Sequence, residues 1–107
     1  MRLVYEFDME TPGDLLGEVV RNLRQRRLEK GWSREMLAEA SGVPAPTIAK
    51  FERQHTISLA SYVALAKVLG HARDVKNLLA EPLYSTMEEL ETINRNKHRK
   101  RGRHERE

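Results

Sequence analysis

Two prolines, Pro44 and Pro46, stand just before a short apolar segment in the stretch SGVPAPTIAKFE (41–52). Ile48 and Phe51 follow one helical turn apart, which predicts a helix with one buried face. The first N–H groups of a helix have no partner within it, so proline is tolerated there and its fixed φ favours helix initiation. The prolines therefore predict where this helix begins.

Apolar residues recur at helical spacing in five segments, each bounded by a helix-end signal such as Ser, Thr, Pro or Gly. The predicted helices run from Thr11-Pro12 toward Gly31, from Ser33 to Gly42, through Ile48 and Phe51, from Ser58 to Gly70, and from Ala72 to about Leu79. The side chains expected in the core are Leu15, Leu16, Val19, Leu23, Leu28, Met36, Leu37, Ala40, Val43, Ile48, Phe51, Leu59, Tyr62, Val63, Leu65, Ala66 and Leu69. These helices predict a compact all-α domain over residues 11–80.

The second and third helices are short and are joined by a tight turn. Gly42 supplies the turn, and Val43 is expected to plug the core. Two such helices form a helix-turn-helix, whose second member enters a DNA major groove. A helical bundle used only for protein contacts is the alternative.

Several classes of protein are disfavoured by what the 107 residues lack. There is no cysteine, so disulfides and thiolate metal sites are excluded. The four histidines have no metal-ligand spacing, and the acidic residues of EELE (88–91) have no nucleophile or phosphate loop nearby. The N-terminus does not resemble a signal peptide, and no apolar stretch approaches membrane-spanning length. We expect a cytoplasmic protein that is not an enzyme and needs no metal or cofactor.

Basic residues are concentrated in two zones. Residues 95–107 hold seven Lys/Arg against two Glu, and residues 15–80 hold eleven Lys/Arg against six acidic residues. An acidic segment, 1–14, precedes the zone 15–80, and a second acidic segment, 81–94, lies between the two basic zones. Basic zones suit a polyanion such as nucleic acid, although the tail could equally be a solubilising end or an RNA or membrane-surface contact. Charge alone leaves the partner open.

The stretch RQRRLEKGWSREMLAEASGVPAPTIAKFERQ, followed by SLASYVALAKVLG, resembles the Cro/cI-type (XRE) helix-turn-helix domain of bacterial and phage repressors over about residues 21–70. The resemblance implies a five-helix, lambda-repressor-like fold. In that family an arginine before the second helix pairs with a glutamate near the end of the third. The matching residues are Arg27 and Glu52, interpreted as a structural and phosphate-orienting pair, with two solvated surface charges as the alternative.

The resemblance also implies which residues contact DNA. The expected base-reading positions are Ala45, Pro46, Thr47, Lys50 and Arg34, and the expected phosphate contacts are Ser33, Arg27, Arg53 and Arg24. Ala45 and Pro46 offer only apolar contact, such as to thymine methyl groups, which leaves Lys50 and Arg34 as polar readers. Part of the specificity would then come from DNA shape. Gln54-His55 stands where relatives usually have a glycine, so a different loop geometry is expected.

The N-terminal arm, residues 1–10, has the alternating pattern of a strand. Apolar and charged residues alternate there, broken only by Val4; the apolar members are Leu3, Tyr5, Phe7 and Met9, and the charged ones are Arg2, Glu6, Asp8 and Glu10. A single strand in a helical chain must pair with a second copy, pair with another protein, or remain disordered.

Residues 81–94 are expected to form an amphipathic C-terminal helix. A capping box from Ser85 to Glu88 predicts its start, and its apolar stripe consists of Tyr84, Met87, Leu90 and Ile93. Such a stripe could pack on its own domain, on a second copy or on a partner. The basic tail, residues 95–107, is expected to be disordered.

These features together predict a homodimeric transcriptional repressor that binds an inverted-repeat operator in double-stranded DNA. The length, the single helix-turn-helix and the arginine-rich C-terminus make the chain similar to the HipB-type antitoxin subgroup. Members of that subgroup autoregulate a toxin–antitoxin operon and bind a HipA-like kinase toxin. The alternatives are a protein-interaction adaptor and a stand-alone phage-type regulator without a toxin partner.

Overall fold

The structure, a computed structural model, describes residues 9–100. Within those residues the chain forms six α-helices and no strand. The chain divides into two compact units, residues 1–76 and 77–107. The predicted strand, with Leu3, Tyr5 and Phe7, lies outside the described residues, as does the end of the basic tail.

Five helices belong to the first unit and one to the second. They are α1 (Pro12–Glu29), α2 (Arg34–Ser41), α3 (Ala45–Gln54), α4 (Leu59–Val68) and α5 (Ala72–Lys76), followed by α6 (Met87–Asn96).

Helix α1 begins where the sequence predicts. Thr11 and Asp14 form a capping box, in which the Asp14 N–H donates to Thr11 Oγ1 at 3.0 Å and the Thr11 N–H donates to Asp14 Oδ2 at 3.1 Å. Pro12 occupies the first helical position, where a missing N–H costs nothing. The helix ends at Glu29, and Gly31 adopts a left-handed φ of 73°.

The helix-turn-helix segment also follows its local signals. Ser33 caps α2 by accepting a hydrogen bond from the Met36 N–H at 3.1 Å, and Gly42 ends the helix with a φ of 82°. Pro44 is the N-cap of α3, and Pro46 lies in its first turn. The predicted role of the two prolines as helix initiators is confirmed.

The core of the first unit collects one stripe of side chains from each of the first four helices and the turn between α2 and α3. Its buried members are Val20, Leu23, Leu37, Val43, Ile48, Phe51, Leu65 and Leu69. The rings of Phe51 and Tyr62 pack in a T-shaped arrangement with 5.9 Å between their centroids. Burial of large apolar side chains such as these is the main stabilising contribution to a small domain.

Several predicted core positions are instead exposed. Helix α1 buries Val20, which the sequence analysis did not include, together with Leu23. The predicted core residues that are instead exposed are Leu15, Leu16, Leu28, Met36, Ala40 and Leu59. An 18-residue helix has more apolar positions than its neighbours cover, and Met36 and Leu59 lie in the first turns of their helices.

Two predicted helix ends are also corrected. Helix α5 stops at Lys76 rather than near Leu79, which adopts a left-handed φ of 55°. In the second unit, Thr86 rather than Ser85 caps α6, since the Glu89 N–H donates to Thr86 Oγ1 at 3.0 Å.

The start of α6 is fixed by a carboxylate that reaches back to the preceding backbone. The Ser85 N–H donates to Glu89 Oε1 at 2.6 Å, and this hydrogen bond lowers the pKa of Glu89. Tyr84 therefore precedes the helix, so only three members of the predicted apolar stripe, Met87, Leu90 and Ile93, belong to it. The helix continues to Asn96, two residues past the predicted boundary at 94.

Candidate nucleic-acid interface

Helix α3 presents one face to the core and the opposite face to solvent. Ile48 and Phe51 are buried, whereas Pro46, Lys50 and Arg53 are exposed. The three exposed positions are spaced by four and three residues, which places them on one side of a helix. This face has the form that a helix needs in order to enter a groove, with two basic side chains and one apolar ring.

The other predicted base-reading positions lie beside this face. Ala45 and Thr47 are partly exposed in the first turn of α3. Arg34 is the first residue of α2 and is also partly exposed. Ala45, Pro46, Thr47 and Arg34 therefore lie at the starts of two helices that pack against each other, and Lys50 lies one turn further along α3.

Arg27 and Glu52 form a two-pronged ion pair inside the first unit. Arg27 Nε donates to Glu52 Oε2 at 2.9 Å, and Arg27 Nη2 donates to Glu52 Oε1 at 3.1 Å. The side chains are 7% and 2% exposed. Arg27 Nη1 also donates to the backbone oxygen of Trp32 at 2.8 Å, which ties α1 to the start of the α2 segment.

This burial changes the interpretation of Arg27. A phosphate group on DNA could reach little of a side chain that is 7% exposed and already makes three hydrogen bonds. The geometry therefore favours a structural role for Arg27 over a phosphate contact.

Arg34 is a second partner of Glu52, which the sequence analysis did not foresee. Arg34 Nε donates to Glu52 Oε1 at 2.9 Å, while its side chain remains 38% exposed. Arg24 Nε lies 4.0 Å from the same oxygen. One carboxylate thus stands among three guanidinium groups, and the cluster keeps an excess of positive charge. Only folding brings these residues together, since Arg34 and Glu52 are 18 positions apart.

The pKa of Glu52 reflects two opposing effects. Burial raises it, but the hydrogen bonds from Arg27 and Arg34 and the positive charges of the two side chains outweigh burial. The net result is a pKa below the usual value for glutamate, so the carboxylate is ionised at neutral pH.

The loop after α3 keeps a left-handed residue although no glycine is present. His55 is the C-cap of α3, with φ 60° and ψ 35°, and its N–H donates to the Phe51 backbone oxygen at 2.9 Å. A residue with a Cβ is strained in this conformation. His55 therefore adopts the left-handed conformation that a glycine would favour.

The predicted phosphate contacts other than Arg27 lie at the surface. Arg24 and Arg53 are exposed on α1 and α3. The Ser33 hydroxyl accepts a hydrogen bond from the Met36 N–H, which leaves its own hydrogen free to donate.

The predicted partner-binding residues Tyr84, Met87, Leu90 and Ile93 all belong to the second unit, where none of them is buried. Within residues 9–100, no group of three acidic or histidine side chains could hold a metal ion. None of the helices in that range is long and apolar enough to cross a membrane.

Comparison with protein families gives a match to the family model described as Helix-turn-helix, over residues 23–72. The matched segment starts within α1 and ends at the first residue of α5, so it contains α2, the turn and α3. Residues 23–72 are similar to the XRE-type helix-turn-helix domain. Domains of this family bind DNA and are typically not enzymes, and the match supports a regulator of the Cro/cI type.

The matched segment of the helix-turn-helix domain includes Arg24, Arg27, Arg34, Lys50 and Glu52. Comparisons with curated proteins and with solved structures gave no significant match.

Proposed function

We propose that this protein is a sequence-specific transcriptional repressor that binds an inverted-repeat operator as a homodimer. The observation that carries the proposal is the helix-turn-helix domain, together with the exposed basic face of α3 beside Arg34. A regulator of this kind acts in the cytoplasm and requires neither a cofactor nor a catalytic site.

Lys50 and Arg34 are the proposed polar readers of base edges, because each can donate hydrogen bonds to guanine O6 or N7. Ala45 and Pro46 supply apolar contacts, and the Thr47 hydroxyl can donate or accept. With few polar readers, DNA shape and deformability supply part of the specificity.

The proposed phosphate contacts are Ser33, Arg24 and Arg53, which are exposed on three different helices or caps. Such contacts fix the position and orientation of the protein on the duplex without reading the sequence.

Two-fold symmetry is part of the proposal because one helix-turn-helix contacts too few base pairs for useful specificity. Self-association is assigned to the N-terminal arm, residues 1–10, and to the apolar residues of 81–94. The helix-turn-helix domain corresponds to 11–80, and the basic tail corresponds to 95–107.

The biological setting that we propose is autoregulation of a toxin–antitoxin operon, with this chain as the HipB-like antitoxin and a HipA-like kinase as its partner. A stand-alone phage-type regulator would have the same DNA-binding face without such a partner.

A second candidate function is a protein-interaction adaptor. It is favoured by apolar side chains that are left in solvent, namely Leu79 at 101% and Leu83 at 95% exposure. Leu78, Tyr84 and Met87 of the same unit are exposed as well, and exposed apolar side chains that form a contiguous patch are typical of a protein-interaction surface.

Selection of binding sites from a random DNA pool tests the proposal. We expect an inverted repeat whose half-sites are about one helical turn, or a multiple of it, apart. Footprinting should then show both half-sites protected by a dimer. The adaptor would be favoured if the selection enriched no DNA sequence, or if competitor DNA abolished binding of the protein to the selected site. Co-purification from the native operon tests for a kinase partner.

A further inference from the structure

The carboxylate of Glu52 connects a buried arginine with one at the surface. Its Oε1 atom accepts a hydrogen bond from Arg27 Nη2 at 3.1 Å and from Arg34 Nε at 2.9 Å. Glu52 is itself 2% exposed, and its other oxygen is held by Arg27. The Arg34 side chain is therefore anchored to a group that cannot easily move.

The hydrogen bond to Glu52 leaves the Nη1 and Nη2 groups of Arg34 available to another partner. A guanidinium group has five N–H donors, and the Arg34 Nε–H is the one that Glu52 accepts. Within the described residues, the Nη1 and Nη2 groups make no hydrogen bond to protein. Two parallel donors of this kind match the two acceptors O6 and N7 of guanine.

We propose that Glu52 is a positioning residue, which holds Arg34 so that its Nη1–Nη2 edge reads one guanine in each half-site. The proposal rests on the proposed function, because it requires a specific DNA site. A long arginine side chain that is held in place before binding loses less conformational entropy when it contacts a base. Glu52 acts through Arg34 and does not itself touch DNA.

The charge balance of the cluster is compatible with this role. A glutamate at a DNA interface normally repels phosphates, but Glu52 is buried and lies among Arg24, Arg27 and Arg34. The cluster therefore remains attractive to a polyanion.

Replacement of Glu52 alone would leave Arg27 buried without its partner, and such a variant could unfold. The test therefore uses two matched variants. Arg27→Met removes the buried arginine and leaves Glu52 with Arg34 and Arg24 as its cationic partners, so neither buried charge is left alone. Arg27→Met combined with Glu52→Leu replaces the buried pair with apolar groups and removes the anchor of Arg34. Circular dichroism establishes that both variants are folded.

The first measurement needs no DNA. Hydrogen exchange of the Arg34 Nε–H is followed by ¹⁵N NMR in the free protein. We expect slow exchange in the wild type and in Arg27→Met, and exchange at least roughly tenfold faster in the double variant, because its Nε–H no longer has an acceptor. Equal exchange in the two variants would show that Glu52 does not hold Arg34.

The second measurement uses the selected operator, with each guanine replaced in turn by 7-deazaguanine, which lacks N7. For the wild type and Arg27→Met, we expect affinity to fall roughly tenfold at one symmetric pair of guanines. For the double variant and Arg34→Lys, the same replacement should lower affinity by less than about twofold, since neither protein presents two guanidinium N–H donors in a fixed position.

Two outcomes would overturn the proposal at this stage. The double variant could keep full sensitivity to the modified guanine, or Arg34→Ala could weaken all DNA sequences equally, as expected of a phosphate contact. If the wild type selects no sequence at all, the proposed function fails, and with it the role in base reading. The exchange measurement still decides whether Glu52 anchors Arg34.

Discussion

The two units of the chain use similar helices in different ways. In residues 9–76, apolar side chains from four helices and a turn meet in one buried cluster around Leu37, Ile48, Phe51 and Leu65. In residues 77–100 no side chain is buried, although α6 is capped and amphipathic. Local signals are sufficient to begin a helix, whereas burial requires several elements whose apolar faces meet. The comparison indicates where substitutions affect folding and where they affect only local structure.

The largest contrast is expected between Phe51→Ala and Leu83→Ala. The Phe51 side chain is 1% exposed, so its removal leaves a cavity and should lower the free energy of unfolding by about 3–5 kcal/mol. Leu83 is almost fully exposed, and its truncation should change that free energy by less than about 0.5 kcal/mol. Urea denaturation monitored by circular dichroism measures both values. Similar losses for the two variants would show that Leu83 is covered.

A smaller contrast is expected between two glutamates whose pKa values are both lowered. Glu52→Gln should lower stability by about 2–3 kcal/mol at neutral pH, because the buried Arg27 loses a charged hydrogen-bond partner. Glu89→Gln should have no measurable effect on global unfolding, because Glu89 is exposed and only fixes the start of α6.

The effect of Glu52→Gln should also depend on pH. The folded-state pKa of Glu52 lies below its unfolded value, so the stabilisation is complete above the unfolded pKa and is lost as pH falls through the folded one. The difference between wild type and variant should therefore shrink as pH is lowered below about 4.5. A difference that stays constant under acid conditions would mean that the ionisation of Glu52 contributes nothing.

The basic residues of the two units are expected to act differently on DNA. Lys50→Ala should weaken binding to the selected operator by about 1–3 kcal/mol and leave binding to random DNA nearly unchanged. Removal of residues 97–107 keeps α6 intact and should lower affinity for all sequences, reducing the salt slope by about 0.9 for each phosphate that the tail neutralises in the full-length protein. Salt titrations with both DNAs separate the two effects. An equal loss for Lys50→Ala on both DNAs would mean that Lys50 contacts a phosphate.

The smallest effect is expected at the end of α3. His55→Gly should raise stability by about 1 kcal/mol, since glycine adopts a φ of 60° without a clash of Cβ. His55→Ala is the matched control, because it removes the imidazole but keeps the Cβ, and it should give no gain. Equal stabilisation by both substitutions would mean that the imidazole ring of His55, and not its backbone conformation, destabilises the wild type.

By itself, the sequence determined where most helices begin and which pair forms the helix-turn-helix. Pro12, Ser33, Pro44 and Gly42 act through the backbone of their own turn, so their effects can be predicted from the residues alone. The predicted N-cap of α6, Ser85, is one residue before the observed one, Thr86, because serine and threonine are both good N-caps.

The tertiary structure decided which apolar residues are buried and how the charges are paired. Helix α1 buries Val20 and leaves Leu15 and Leu28 exposed, because only one stripe of a long helix meets its neighbours. The family resemblance implied the pairing of Glu52 with Arg27, whereas the second contact of Glu52, with Arg34 18 positions away, arises because packing of α2 against α3 brings the two side chains together. Such pairings depend on the relative placement of helices, which the spacing of residues along a single helix does not specify.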